Sequence, residues 1–288
     1  MTTTWQIGDI TVTAIVEMDL PIPFVGLLPT ATPDVVSEET WLIPRWAVDD
    51  EHMHVRFQAL VIESDGRRVV VDTCLGNDKS RPGFDIFDHR QSSFLADLAA
   101  AGLDPGTIDV VTCTHLHMDH VGWNTRWVDG AWVPTFPAAR YLFSRVEYDH
   151  WLAECAGDHM HAMPFQDSVR PVIEAGLVDL VDPPCALASG VRLIPTIGHT
   201  PGHCSVEITS QGERAIITGD LAHNPIQLAR PEIASSADTD QAGSTATRRA
   251  FVAETVGTDT LVIGTHFGAP SAGLLREVDG GVRLVVDD

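Results

Sequence analysis

Four short apolar, β-branched runs in this chain each end in imidazole or carboxylate groups. That pattern limits the fold more than any other feature. Ile108-Asp109-Val110-Val111-Thr112-Cys113 runs into Thr114-His115-Leu116-His117-Met118-Asp119-His120. Val191-Arg192-Leu193-Ile194-Pro195 is followed by Gly198-His199-Thr200-Pro201-Gly202-His203. Ala215-Ile216-Ile217-Thr218 ends in Gly219-Asp220, and Leu261-Val262-Ile263-Gly264-Thr265 ends in His266. Runs of this kind read as buried strands. Loops at strand ends converge on one edge of a sheet, so the chain is predicted to gather its donors at one point.

The first of these segments is the densest. His115 and His117 point the same way if the chain is extended, because side chains alternate with period two. Asp119 and His120 then curl back on the far side. One metal ion takes about three or four ligands. Four donors here, with more from the other strand ends, point to two ions side by side. A polar loop whose histidines merely hydrogen-bond would not need H-x-H-x-D-H directly after a buried strand.

These motifs, in this order over roughly residues 55 to 270, resemble the metallo-β-lactamase superfamily of dinuclear metallohydrolases. The resemblance implies that His115, His117 and His199 bind one metal. It implies that Asp119, His120 and His266 bind a second, and that Asp220 bridges both. Val70-Val71-Asp72-Thr73 matches the family's strand-end Asp motif, so Asp72 is expected to orient a ligand His. His203 is expected to be structural, behind the ligands. The implied fold is an αββα sandwich, two mixed sheets flanked by helices, in a single domain over 1–288. Two divalent ions are implied, zinc first, although imidazole and carboxylate donors also suit Fe, Mn or Co. Such ions, roughly 3.5–4 Å apart, acidify a water between them, and that hydroxide attacks a carbonyl or phosphoryl centre.

Departures narrow the branch. Asp220 stands where one true β-lactamase branch has Cys, and His117 where flavodiiron relatives have Glu. At 288 residues, the chain has no room for the inserted domain of the nucleic-acid-processing branches. Gly219-Asp220-Leu221-Ala222-His223-Asn224-Pro225 and Thr265-His266-Phe267-Gly268 are most similar to the branch of N-acyl-homoserine lactonases and methyl parathion hydrolase. Lactonases there often carry Tyr three residues after the bridging Asp; here that residue is His223. His223 is expected to donate a hydrogen bond to a developing oxyanion, or to be a wall residue. Asp119 is expected to shuttle a proton as well as bind metal.

The first expectation is therefore a hydrolase of a neutral, hydrophobic lactone or carboxylic ester. A phosphotriester hydrolase is the second. A metal-binding module without catalysis is a third, against which the intact ligand set argues. The aromatic stretch from Trp123 to Pro137 directly follows the metal loop, so Trp123 and Phe136, together with Phe267, are predicted to line the pocket. The segment 19–54, with Phe24, Val25, Leu27, Leu28, Trp41 and Trp46, has too many apolar side chains for an idle loop. It lines the substrate pocket, packs on a second subunit of a homodimer, or covers the core.

Net charge is −22 with 18 basic residues. Such a surface repels phosphate backbones and anionic lipids, so nucleic acid and membranes are expected to be poor partners and a small molecule is expected. The five cysteines are scattered and form no CxxC pair. Cys113 and Cys204 read as small core residues rather than ligands. With no apolar run of about 18 residues and no leader-like start, a reduced cytoplasm is expected.

Overall fold

The structure, a computed structural model, describes residues 3–155 and 162–286. The first sheet contains β1 (Thr3–Ile7), β2 (Ile10–Pro23), β3 (His52–Ser64), β4 (Arg67–Val71) and β5 (Val110–Thr112). A small hairpin of β6 (Thr125–Val128) and β7 (Ala131–Pro134) stands apart, and β8 (Arg140–Ser144) and β9 (Val178–Val181) complete the sheet. Its order is β1-β2-β3-β4-β5-β8-β9. The second sheet takes its strands in chain order: β10 (Cys185–Ala188), β11 (Val191–Pro195), β12 (Cys204–Ser210), β13 (Glu213–Ile217), β14 (Leu261–Ile263), β15 (Ala272–Val278) and β16 (Gly281–Val285).

Period-two alternation decides how the layers stack. Leu60, Ile62, Val69 and Val71 of the first sheet meet Leu193, Val206, Ile208, Ile217 and Ile263 of the second in one inner core. The intervening residues Ala59, Val61 and Val70 face the opposite way, against Phe94 and Leu98 of the helix Phe94–Ala100. On the second sheet, Ile216 and Val262 face Phe251 of the helix Gln241–Thr255. Strands apolar on both faces demand two covers, and helices provide the outer ones. This is the αββα sandwich. The β3–β4 hairpin turns at Asp65 and Gly66, both at positive φ (49° and 74°), as a two-residue turn requires.

The segment 19–54 is not all loop. β2 continues to Pro23, paired with β3 down to His52. β1 pairs with β2 only as far as Ala14, so beyond it β2 is an edge strand, where Pro21 and Pro23 are tolerated. A bulge between Val16 and Met18 accompanies a buried Glu17, whose carboxylate accepts from Leu75 N at 2.8 Å and Trp123 Nε1 at 2.7 Å. Phe24, Leu28, Leu42 and Trp46 of the segment cover the core around Ile216, Val262 and Phe251, while Ile22, Gly26 and Leu27 line a cavity. Among the described residues, no helix is long and apolar enough to cross a membrane.

Candidate metal centre

Parallel strand pairs place the donors. β4 and β5 are parallel, as are β13 and β14. Asp72 follows β4 and His115 follows β5; Asp220 follows β13 and His266 follows β14. Carboxyl ends of parallel strands open onto a common crevice. Two donor groups result. His115, His117, His199 and Asp220 form one; Asp119, His120 and His266 form the other; within each, the ligand atoms lie within 4.8 Å of one another. Asp220 stands between them. Its Oδ1 is 3.1 Å from His266 Nε2 and 3.3 Å from His120 Nε2, and its Oδ2 is 3.3 Å from His199 Nε2 and 3.6 Å from His115 Nε2. Gly219 makes this approach feasible: at φ 55°, a Cβ would lie 2.7 Å from His203 Nε2.

The far ring nitrogens are held from behind. His266 Nδ1 is 2.8 Å from the Arg56 carbonyl, and His199 Nδ1 is 2.9 Å from Asp238 Oδ1. His120 Nδ1 lies 3.0 Å from Asp72 Oδ2. The Arg56 carbonyl and the Asp238 carboxylate cannot donate, so Nδ1 of His266 and of His199 carries a proton and Nε2 faces the site; the His120 contact with Asp72 lacks hydrogen-bond geometry. The Nε2 atoms of His120 and His266 lie 3.2 Å apart. Buried Asp220 Oδ1 has no hydrogen-bond partner. Imidazole nitrogens and carboxylate oxygens gathered this closely in a buried site fit a cation. His203 acts differently: its Nδ1 meets the Thr196 carbonyl at 2.9 Å and its Nε2 accepts from Asp220 N at 2.9 Å. Burial and the neighbouring His199 push it down to about 3, so it stays neutral and anchors the Asp220 backbone.

The electrostatics favour positive charge. Burial pushes the Asp220 carboxyl up, but the surrounding imidazoles, His120 and His266 foremost, outweigh it and hold the group well below the usual carboxylate range. Burial likewise disfavours charge on His120 and His266, and the carboxylates, Asp220 first, more than offset it.

A cavity of about 530 Å³ opens on His117, Asp119, Asp220, His223 and His266. Its walls are mainly apolar: Ile22, Leu27, Phe57, Phe84, Phe87 and Trp151 contribute.

Residues 58–266 match the family model of the metallo-β-lactamase superfamily. The chain belongs to the metallo-β-lactamase superfamily. Family membership and the two donor groups make it a metal-dependent hydrolase. Solved structures of similar fold include AidC, a dizinc quorum-quenching lactonase in complex with a product, N-hexanoyl-L-homoserine. It is 20% identical, with a TM-score of 0.79, over 100% of this chain and 97% of that one. The hydrolase AbOPH is 23% identical, with a TM-score of 0.79, over 100% and 98%. A probable metal-dependent hydrolase from Staphylococcus aureus is 19% identical, with a TM-score of 0.76, over 98% and 99%.

In this metallo-β-lactamase fold every donor read from the sequence joins one of the two groups; Asp72 lies against His120 and His203 against the Asp220 backbone. The aromatic residues do not follow expectation. Trp123 is buried, stacked on Phe94 with ring centroids 5.3 Å apart, and its indole N–H is held by Glu17. Phe136 is wholly buried in the same core. Phe267 packs edge-on against Trp46, 6.1 Å away, in the other core. None of the three lines the cavity. Gly122 packs so tightly on Leu75 that a Cβ would sit 2.0 Å from its carbonyl. The chain therefore turns inward straight after His120 and carries Trp123 into the core.

Five residues at the site were not marked by the sequence. Phe84 and Phe87 come from an irregular Pro- and Gly-containing stretch, and Trp151 from the helix Arg145–Glu154. Asp238, behind His199, had no motif to mark it. Buried Glu147 ties two donor loops together: it accepts from Leu116 N at 3.0 Å, Thr200 Oγ1 at 2.7 Å and Gly202 N at 3.0 Å. Cys113 and Cys204 are buried and belong to neither donor group.

Proposed function

We propose that this hydrolase, with two zinc ions bound, opens a neutral hydrophobic lactone or cleaves a carboxylic ester. The observation that carries the reading is the apolar cavity that opens directly on both donor groups. His115, His117 and His199 would hold one ion and Asp119, His120 and His266 the other, with the Asp220 carboxylate available to both. When bound, the ions supply Lewis acidity and an attacking water that is acidic at neutral pH.

The chain's own residues do the rest. Ile22, Leu27, Phe57 and Phe87 bury the acyl chain and exclude water from it. Asp119 has a partly exposed carboxylate at the cavity floor, 3.4 Å from His266 Nε2. It takes a proton from the attacking water and returns it to the alcohol oxygen as the acyl C–O bond breaks. His223 also lines the cavity and hydrogen-bonds Asp220.

The test is an activity panel on metal-replete protein: acyl-homoserine lactones, aryl esters, paraoxon-type triesters and thioesters. Lactones or esters should give the highest kcat/KM, with two equivalents of metal per chain by elemental analysis. Faster turnover of a triester than of any lactone or ester overturns the substrate class; a single equivalent of metal overturns the dinuclear centre.

A further inference from the structure

The stretch 77–92 is an irregular flap closed at its neck and aromatic at its tip. At the neck, Asn77 and Ser92 bond each other, with Ser92 N on Asn77 Oδ1 at 2.7 Å. Asp78 N meets the Arg90 carbonyl at 3.1 Å and His89 N meets the Lys79 carbonyl at 2.7 Å. At the tip, Phe84 and Phe87 stack at 6.2 Å. Phe87 meets Phe57 edge-on at 5.5 Å, and Phe57 meets the ligand His266 at 5.2 Å. The flap is thus one wall of the cavity, in aromatic contact with the metal centre.

Its anchor is on the other side. Arg81 grips Asp167 with both guanidinium arms, at 2.6 and 3.1 Å. Lys79 Nζ donates to the Asp167 carbonyl at 3.0 Å and to Thr125 Oγ1 at 2.6 Å, and sits 3.5 Å over the Trp132 ring. Both cations are buried. Asp167 lies on a π-helical turn, Phe165–Val169, a local deformation that re-aims side chains and is frequent at functional sites. Removing the carboxylate that faces these two buried basic groups is costly, because neither has water to fall back on. A loop with few backbone ladders depends on such an anchor for its position.

We propose that Asp167, acting through Arg81 and Lys79, sets the position of the Phe84–Phe87 wall and so determines which acyl-chain lengths the cavity accepts. Asp167 belongs to neither donor group, so it is a positioning residue for specificity. The chain-length part rests on the proposed function; the anchoring part does not.

Two readouts keep the parts separate. The first is amide hydrogen exchange at Phe84, Phe87, Asp88 and His89, whose N–H groups are all bonded within the flap. In Asp167→Asn these four amides should exchange about tenfold faster, while Asp72 and Thr73, bonded at the metal centre, stay as in the wild type. The second is a chain-length series drawn from whichever substrate class the metal-loaded wild type turns over. KM should rise for long chains by about fivefold more than for short ones, with kcat on short chains and metal content unchanged. Asp167→Glu should restore part of both. Unchanged exchange overturns the anchor; faster exchange with an unaltered chain-length preference overturns the specificity role. Failure on lactones and esters alike would sink the substrate class and leave the exchange result to decide the anchor. If Asp167→Asn misfolds, Arg81→Lys, which keeps the charge and loses the fork, carries the same measurements.

Discussion

The role of His223 turns on which of its ring nitrogens is already engaged. Burial pushes its imidazole below the usual range, against the pull of Asp220. The ring is therefore neutral and has one N–H. Nε2 lies 3.1 Å from Asp220 Oδ2, which cannot donate, so that N–H belongs to Asp220. Nδ1 is buried without a hydrogen-bond partner. A donor aimed at the transition-state oxygen is worth roughly 10²–10³ in kcat. With its proton already engaged, His223 should matter less: His223→Ala is expected to lower kcat by about tenfold, and to weaken metal retention by loosening Asp220. Steady-state kinetics with elemental analysis checks this, and a loss of the full 10²–10³ with metal unchanged would restore the oxyanion role. The donors themselves were legible residue by residue, because each is covalently tied to a strand end. Asp238 was not: it meets His199 from 39 residues away, with no motif around it.

Among the elements, the strands were legible and the covers less so. Apolar, β-branched runs predicted β11, β13 and β14 closely. The stretch after His120 was read as an aromatic rim; it forms a core-facing turn followed by the β6–β7 hairpin, whose Trp127 and Trp132 pack together at 5.0 Å. Under that hairpin, burial and the nearby Arg81 push Lys79 down to about 7, against the pull of Asp167. The unfolded chain holds this proton to roughly 10.4. Between those values the unfolded state binds more protons, so this residue's contribution to stability rises with pH; below about 7 the full cost of burying the charge is present. Wild type should gain stability relative to Lys79→Met as pH goes from 6.5 to 9, by at most about 1.4 kcal/mol per pH unit. Urea unfolding at the two pH values measures it, and a constant difference would place the lysine's pKa outside this window.

At the scale of the whole molecule, the metal centre joins the two sheets: His115 and His120 follow β5 of the first, and Asp220 and His266 follow strands of the second. Removing metal should therefore loosen the sandwich and not only silence the site. A ligand present at 1,000 times its Kd stabilises the native state by about 4 kcal/mol, which for a chain of this size is a melting shift on the order of 10 °C. Calorimetry before and after chelation, with recovery on adding zinc, tests this; equal melting points would mean that the sandwich stands without its metal. The sequence by itself determined the strand ends, the donors on them and the order in which they converge, since strand periodicity and short covalent spacing act within a few residues. Only the tertiary structure decided what surrounds them. The cavity wall is assembled from β2, β3, the flap and a helix, and whether an aromatic ring faces that cavity or the core depends on single turns, such as the one at Gly122, that leave no periodic mark in the chain.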